Sequence, residues 1–306
     1  MQKSVYDRFK NYEKEHCWQY DVRVQNLEED LINANLTKEF ADGLRISDFE
    51  FEYVEKTDKI KCEEIKLFIE RHEWLGKLPK MPTHRFTARL KTNGILAGVV
   101  VMSTPNAFSH ILGKENRDKE KLVARGASIS WSPKNLGSWL VSSSVKWMVN
   151  NTDFRVFTAY SDPEAKELGT IYQAMNWYYL GQTSGTQKQY FDPNRPSAGW
   201  FSDREFRKRS KYRIYARNIG LSDEQWKSMM KKYSPNWEII PTHIKKAIKK
   251  EESKYRDSCL SRPVPRKHKY CYILGRDKRE TRELQKLFTE LNPRKVNLPY
   301  PKKRGK

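Results

Sequence analysis

Apolar and polar positions alternate cleanly over SDFEFEYVEK at 47–56. Phe49, Phe51 and Tyr53 are set against acidic residues there, a period of two that predicts a strand. Before it, Leu27, Leu31, Ile32, Leu36 and Phe40 recur close to helical spacing, with Gly43 as a stop signal. After it, KCEEIKLFIERHEWL carries Ile65, Phe68, Ile69 and Trp74 on a helical period, and Pro79 and Pro82 break the chain. HRFTARLK and GILAGVVVMS flank the turn KTNG, whose Asn-Gly pair is a hairpin signal. A polar loop over 103–121 follows, then LVARGASISWS as a strand and PKNLGSWLVSSSVKWMVNN as a turn into a helix. FRVFTAYS reads as a strand, 165–176 as a helix and WYYLGQT as a further strand. The expected fold is α/β, a mixed central sheet flanked by helices. No internal repeat interrupts it.

Charge divides the chain differently. Residues 202–306 hold 31 Lys and Arg against 12 Asp and Glu, a net of +19, which leaves +2 for residues 1–201 out of the total of +21. Such a block is either a solvated tail or a surface that replaces counterions on a polyanion. Disordered basic tails are poor in aromatics. This region contains KYRIYARNIG, YSPNWEII and HKYCYILG, which read as strand or packed-loop segments, and only LPYPKKRGK reads as a tail. The expected division is therefore an N-terminal helical extension at 1–45, a core at 46–201 and a basic, DNA-binding α+β region at 202–306. Arg207, Lys208, Arg209, Lys211, Arg266, Lys267 and Lys269 lie in stretches that mix cations with tyrosine. That mixture suits phosphate contact and stacking on a base, and its bland counterpart is a solvated basic face.

The longest apolar run, GILAGVVVM at 94–102, is too short to span a bilayer, and the first residues lack the apolar stretch of a secretory signal. A soluble, cytoplasmic protein is expected. Cys17, Cys62, Cys259 and Cys271 show no CxxC spacing. Cys259, His268 and Cys271 lack an obvious fourth zinc ligand, so reduced thiols and no metal site are expected.

YQAMNW places Tyr172, Asn176 and Trp177 at the end of the helix after the fifth strand, and KNLGSW follows the fourth strand. Both resemble the GNAT acyltransferase fold, in which a helix ends in a tyrosine, three residues, a glycine and an aromatic. Asn176 replaces that glycine, which a left-handed C′ position tolerates. The GNAT loop Q/R-x-x-G-x-G/A holds the pyrophosphate of acetyl-coenzyme A. Here Lys134 and Gly137 match it, and Trp139 stands where a small residue is expected, where its bulk could fill the diphosphate cradle. FIERHEWLGKLP, LVARGASISWSPKNLGS and AYSDPEAKELGTIYQAMNWYYLG together resemble the phage Mom family, a divergent GNAT-like branch, over about residues 65–183. The resemblance implies modification of adenine in duplex DNA, protection against restriction, an acetyl-CoA or related acyl-CoA donor and double-stranded DNA as partner.

It also implies roles for particular residues. Tyr172 would be the proton donor to a departing thiolate, where it would otherwise be one more packed aromatic. Asp162 would orient or deprotonate the target amine, and it also fits as an N-cap for DPEA. Arg125, in a strand expected to be buried, needs an anionic partner, either a carboxylate such as Asp162 or a ligand phosphate. His72, beside Trp74, would be a base or a stacking partner, or simply a histidine favoured at a helix C-terminus. Lys134, Asn135, Gly137 and Ser138 would hold the cofactor, with a local cap and a solvated lysine as the alternative. Two rival functions remain open on sequence alone. One is a catalytically silent DNA-binding fold and the other is a conventional N-acetyltransferase.

Overall fold

The computed structural model describes residues 17–184, 188–232 and 234–302. The chain forms two compact units, Met1–Thr183 with Lys267–Lys306, and Ser184–Arg266. Among the described residues no helix is long and apolar enough to cross a membrane.

The first unit is built on a seven-stranded sheet in the order β1-β2-β3-β4-β5-β10-β6. The strands are β1 (Phe49–Val54), β2 (Pro82–Leu90), β3 (Leu96–Ser103), β4 (Glu120–Ser128), β5 (Val156–Ser161), β6 (Tyr178–Gln182) and β10 (His268–Ile273). All neighbours are antiparallel except β4 and β5. The continuous apolar run LAGVVVMS becomes β3, buried along its whole length, as expected of a strand covered on both faces. The Asn-Gly turn joins β2 to β3, with Gly94 at φ +71°. Helix α3 (Lys59–His72) starts at Asp58, whose carboxylate accepts the Lys61 amide at 3.0 Å. Helix α4 (Leu136–Asn151) lies so close to β3 that a Cβ on Gly98 would stand 3.1 Å from Leu140 Cδ2.

Helices α1 (Trp18–Ala34) and α2 (Lys38–Gly43) belong to the core rather than forming an appendage, since Ala34 and Ala41 are buried in it. Asp30 of α1 is 3% exposed and carries three connections. It accepts Arg71 Nη2 at 2.8 Å and Ser130 Oγ at 2.7 Å, and it faces His72 Nδ1 at 3.6 Å. Arg23 of α1 donates to the carbonyls of Ser130 and Ser132 at 3.0 and 2.9 Å. One helix thus braces both the end of α3 and the loop before α4.

The second unit contains a small sheet, β8-β7-β9, from Phe201–Ser202, Lys188–Phe191 and Leu260–Pro263. It also contains helices α6 (Arg209–Asn218), α7 (Asp223–Ser228) and α8 (Thr242–Asp257). Tyr212, Tyr215, Trp226, Ile240 and Ile248 form its helical core.

Three sequence expectations change here. The division expected at residue 202 gives way to an insertion of Ser184–Arg266. His268–Ile273 returns to lie between β5 and β6, and the Thr183 amide bonds the Lys267 carbonyl at 2.9 Å where the chain leaves and rejoins the sheet. KYRIYARNIG is helical, with Tyr212 and Tyr215 one turn apart on its buried face. The helix expected over 165–176 is reduced to α5 (Thr170–Ala174), because Lys166 and Gly169 take left-handed conformations, φ +56° and +70°, that no helix can pass through. HKYCYILG does form a strand, while in YSPNWEII Tyr233 lies outside the described residues.

Candidate active site at the fork between two parallel strands

Strands β4 and β5 share a ladder only from Glu120–Val123 against Val156–Ala159. Beyond that point both continue, β4 to Ser128 and β5 to Ser161, without pairing to each other. A bulge in β4 falls at the same level, between the pairs Val101–Arg125 and Met102–Val123. The result is a fork at the C-terminal ends of two parallel strands, the position at which open α/β sheets bind ligands. Arg125 sits on one limb of the fork and Asp162 follows the other.

Asp162 caps the short turn Pro163–Ala165, its Oδ1 accepting the Glu164 amide at 3.0 Å. Its Oδ2 pairs with Lys267 Nζ at 2.8 Å. The cap reading of Asp162 is therefore present in the geometry, together with an ion pair to Lys267. The expected partner, Arg125, is engaged elsewhere. It lies 3.9 Å from Glu73 Oε1 and donates to the carbonyls of Lys77 and Ala124.

Two carboxylates not foreseen in the sequence complete the cluster. Glu73, 8% exposed, accepts the amides of Leu75 and Gly76 at 3.1 Å. Burial pushes its pKa up to about 7. Arg125 and the two amides oppose the rise, and Glu167 adds to it. Glu167 accepts Trp74 Nε1 at 2.9 Å on one oxygen and the Asp162 amide at 3.1 Å on the other. Burial raises its pKa as well; the Asp162 amide, Trp74 and Lys267 oppose the rise, and the Asp162 carboxylate adds to it. A helix end at 73 and a lone glutamate at 167 give no periodic signal. The one usable hint is Trp74 beside Glu73; no aromatic neighbours Glu167 in the sequence.

Tyr172 is on α5, its ring 5.0 Å from that of Trp177 and 5.4 Å from that of Tyr270. Asn176 takes the left-handed C′ conformation, φ +57°, and the Trp177 amide closes back onto the Tyr172 carbonyl at 3.0 Å. Burial pushes the Tyr172 phenol above its ordinary range, and the neighbouring Glu167 and Glu73 push it further. Tyr172 therefore stays protonated at neutral pH. Among the described residues its hydroxyl has no hydrogen-bond partner.

His72 does not join this cluster. Its ring packs 4.3 Å from Phe68 and faces Asp30 between α1 and α3. Burial lowers its pKa to about 4, against the upward pull of Asp30. Its neighbours in sequence, Glu73 and Trp74, face the fork cluster instead.

At the start of α4, Lys134 and Asn135 are exposed. Gly137 packs so closely on α5 that a Cβ there would stand 3.2 Å from Ile171 Cδ1. Among the described residues, the amides of Gly137 and Ser138 donate to no backbone carbonyl. Trp139 turns edge-on to Phe51 of β1, centroids 6.4 Å apart, so its bulk is used in sheet packing. Free amides at the first turn of a long helix, with a lysine beside them, suit an anionic diphosphate. The residues present fit the group that the sequence resemblance implied.

Of the expected DNA-contacting residues, most already have partners inside the protein. Arg207 pairs with Asp203, Lys208 with Glu205 and Lys267 with Asp162. Lys211 lies 3.9 Å over the Tyr255 ring and Lys269 5.4 Å over that of Tyr160.

The sheet order, the forked parallel pair and the helix-borne tyrosine beside it define a GNAT-like α/β fold. The sequence model of the Mom protein family matches residues 56–302, and the chain belongs to that family. No curated protein matches it. Among solved structures it is similar to a ribosomal-protein-S5-alanine acetyltransferase from Vibrio fischeri, with 12% identity over 46% of this chain and 85% of that one and a TM-score of 0.33. A GNAT-family acetyltransferase from Listeria monocytogenes gives 13% identity, 45% and 90% coverage and a TM-score of 0.32. The Salmonella typhimurium protein yncA, solved with its cofactor acetyl-CoA, gives 11% identity, 44% and 82% coverage and a TM-score of 0.33.

Proposed function

We propose that this chain is a phage-type transferase that modifies a base of duplex DNA, adenine N6 being the target that the family suggests, and so protects the DNA against restriction. The observation that carries the chemistry is the cluster of Glu73, Asp162, Glu167 and Tyr172 at the fork. Family membership and the chain's net charge of +21 support the choice of DNA.

An exocyclic adenine amine is a poor nucleophile because its lone pair is delocalised into the ring. Inside a duplex it is also stacked away, so the base must be turned out to reach a pocket. As the amine attacks, it becomes a strong acid and needs a positioned acceptor for its proton. Glu73 suits that task, because a carboxyl with pKa about 7 can both accept and release a proton near neutrality. Asp162, fixed by Lys267 and the Glu164 amide, orients the amine through its carboxylate. Tyr172 keeps its proton and is the hydroxyl donor at the fork. Arg125, tied to two carbonyls and close to Glu73, offers its remaining N–H groups to an anionic part of a substrate. The amides of Gly137 and Ser138, with Lys134 and Asn135, would hold an acyl-CoA, which when bound supplies an activated acyl group.

Nucleoside mass spectrometry on plasmid DNA from expressing cells tests this. The wild type should yield a new modified nucleoside, and folded Asp162→Ala and Glu73→Gln should not. Unmodified DNA from well-expressed wild type, with tight duplex binding, would point instead to a silent DNA-binding fold.

A further inference from the structure

The inserted unit, Ser184–Arg266, holds 20 Lys and Arg against 9 Asp and Glu, a net of +11. The nine acids can answer only part of that charge. Asp203 takes both Arg207 and Arg256, and Asp223 takes both Arg213 and Arg217. On α8 itself, Glu251 pairs with Lys254 and Glu252 with Arg256.

Among the described residues Lys188, Arg204, Arg209 and Lys227 also form no ion pair but lie singly along the chain, whereas four lysines of α8 stand together. Lys245, Lys246, Lys249 and Lys250 form no ion pair among the described residues, and the last three of them are exposed. Their spacing puts Lys245 over Lys249 and Lys246 over Lys250, two i,i+4 rows on one side of the helix. Ile248 is buried in the unit's core on the opposite side, and Ile244 packs against that core. Glu251 is already bonded to Lys254 and Asn218 and Glu252 to Arg256, so among the described residues only a longer-range attraction of Glu251 for Lys250 offsets the repulsion. A helix that keeps four like charges together over about 8 Å of its axis carries a standing repulsion that a row of phosphates would remove. A phosphate strand places a charge every ~3.4 Å along the duplex, so one backbone can meet all four ammonium groups. A membrane surface fits less well, since a helix lying in lipid needs its apolar side outward, and here Ile244 and Ile248 point into the protein.

We infer that the Lys245–Lys250 face of α8 is the docking surface for the DNA phosphate backbone, ahead of the Arg207–Lys211 stretch that the sequence singles out. This rests on the proposed DNA substrate. The test is duplex binding by the full chain over a range of salt, using a random-sequence 20-base-pair duplex. The variant K245A/K246A/K249A/K250A should bind at least tenfold more weakly near physiological salt. Its slope of log K against log salt should be shallower by about 3 to 4, at ~0.9 for each phosphate no longer neutralised. The all-arginine counterpart should bind like wild type, which keeps the test independent of any folding defect in the alanine variant. R207A/K208A should stay within about threefold of wild type. Equal binding by the quadruple alanine variant and wild type overturns the inference and leaves the proposed function standing. Absence of duplex binding by the wild type overturns both. Binding to phosphatidylserine vesicles in place of DNA overturns the inference in favour of a lipid surface.

Discussion

The indole nitrogen of Trp74 donates to Glu167 Oε1 at 2.9 Å, across 93 residues of sequence. The other oxygen of the same carboxylate holds the Asp162 amide. This bond ties the end of α3 to the turn that follows β5, and so joins the two sides of the candidate site. Trp74→Phe keeps most of the ring and removes the donor. Glu167 would then lose a partner that favours its ionised form, and its pKa would rise further. The bond removed is one to a charged group, worth about 1.5–3 kcal/mol. Modification activity should fall by about 10- to 100-fold, measured as modified nucleoside formed per unit time on a defined duplex.

Glu73 makes stability depend on pH in a direction opposite to the usual carboxylate. Its folded pKa, about 7, lies above its ordinary 4.5. The stability linked to its protonation is fully present below pH 4.5 and is lost as pH rises through about 7. Urea unfolding of wild type and Glu73→Gln between pH 4.5 and 8 should show the difference shifting toward the variant by about 3 kcal/mol as pH rises. His72 works the other way. Its neutral ring supports the fold above pH 6.5, and that support is lost as pH falls through about 4.

Tyr172→Phe should separate chemistry from packing. The ring contacts with Trp177 and Tyr270 survive, and no hydrogen bond of the hydroxyl is removed among the described residues. Stability should change by less than about 0.5 kcal/mol. The modification rate should fall by about 10²- to 10³-fold if the hydroxyl is the proton donor. Comparing denaturant midpoints with single-turnover rates on DNA checks both halves.

Gly169 starts α5 at φ +70°, and a Cβ there would overlap the Tyr270 ring. Tyr270 is itself fixed, its hydroxyl bonded to the Leu168 carbonyl and taking a bond from Gln173 at 3.2 Å. Gly169→Ala combines left-handed strain with overpacking. It should destabilise the first unit by about 2–4 kcal/mol, seen in urea unfolding, and should displace Tyr172 enough to lower activity as well.

Local chemistry made much of this protein legible from its sequence. The period-two run at Phe49–Val54, the Asn-Gly hairpin and the unbroken apolar run of β3 each form what their patterns predict, because burial on one or both faces decides them locally. The YQAMNW stretch likewise placed Tyr172 and a left-handed Asn176, since a helix stop is a matter of a few residues. Other features depend on residues far apart in the chain. That β10 slots between β5 and β6 is a pairing of segments distant in sequence, and it moved the division of the chain away from the charge boundary. Asp162 drew Lys267, and Arg125 drew Glu73, because ion partners are chosen by where strands end and not by sequence distance. His72 and Glu73 are adjacent, yet one faces Asp30 and the other the fork, since the two side chains leave the end of α3 in different directions. Sequence supplied most strands of the main sheet and the tyrosine, but not the helix of KYRIYARNIG or the shortness of α5. Tertiary packing supplied the buried carboxylates, because a carboxyl whose pKa is raised by burial acquires that property only when other segments close over it.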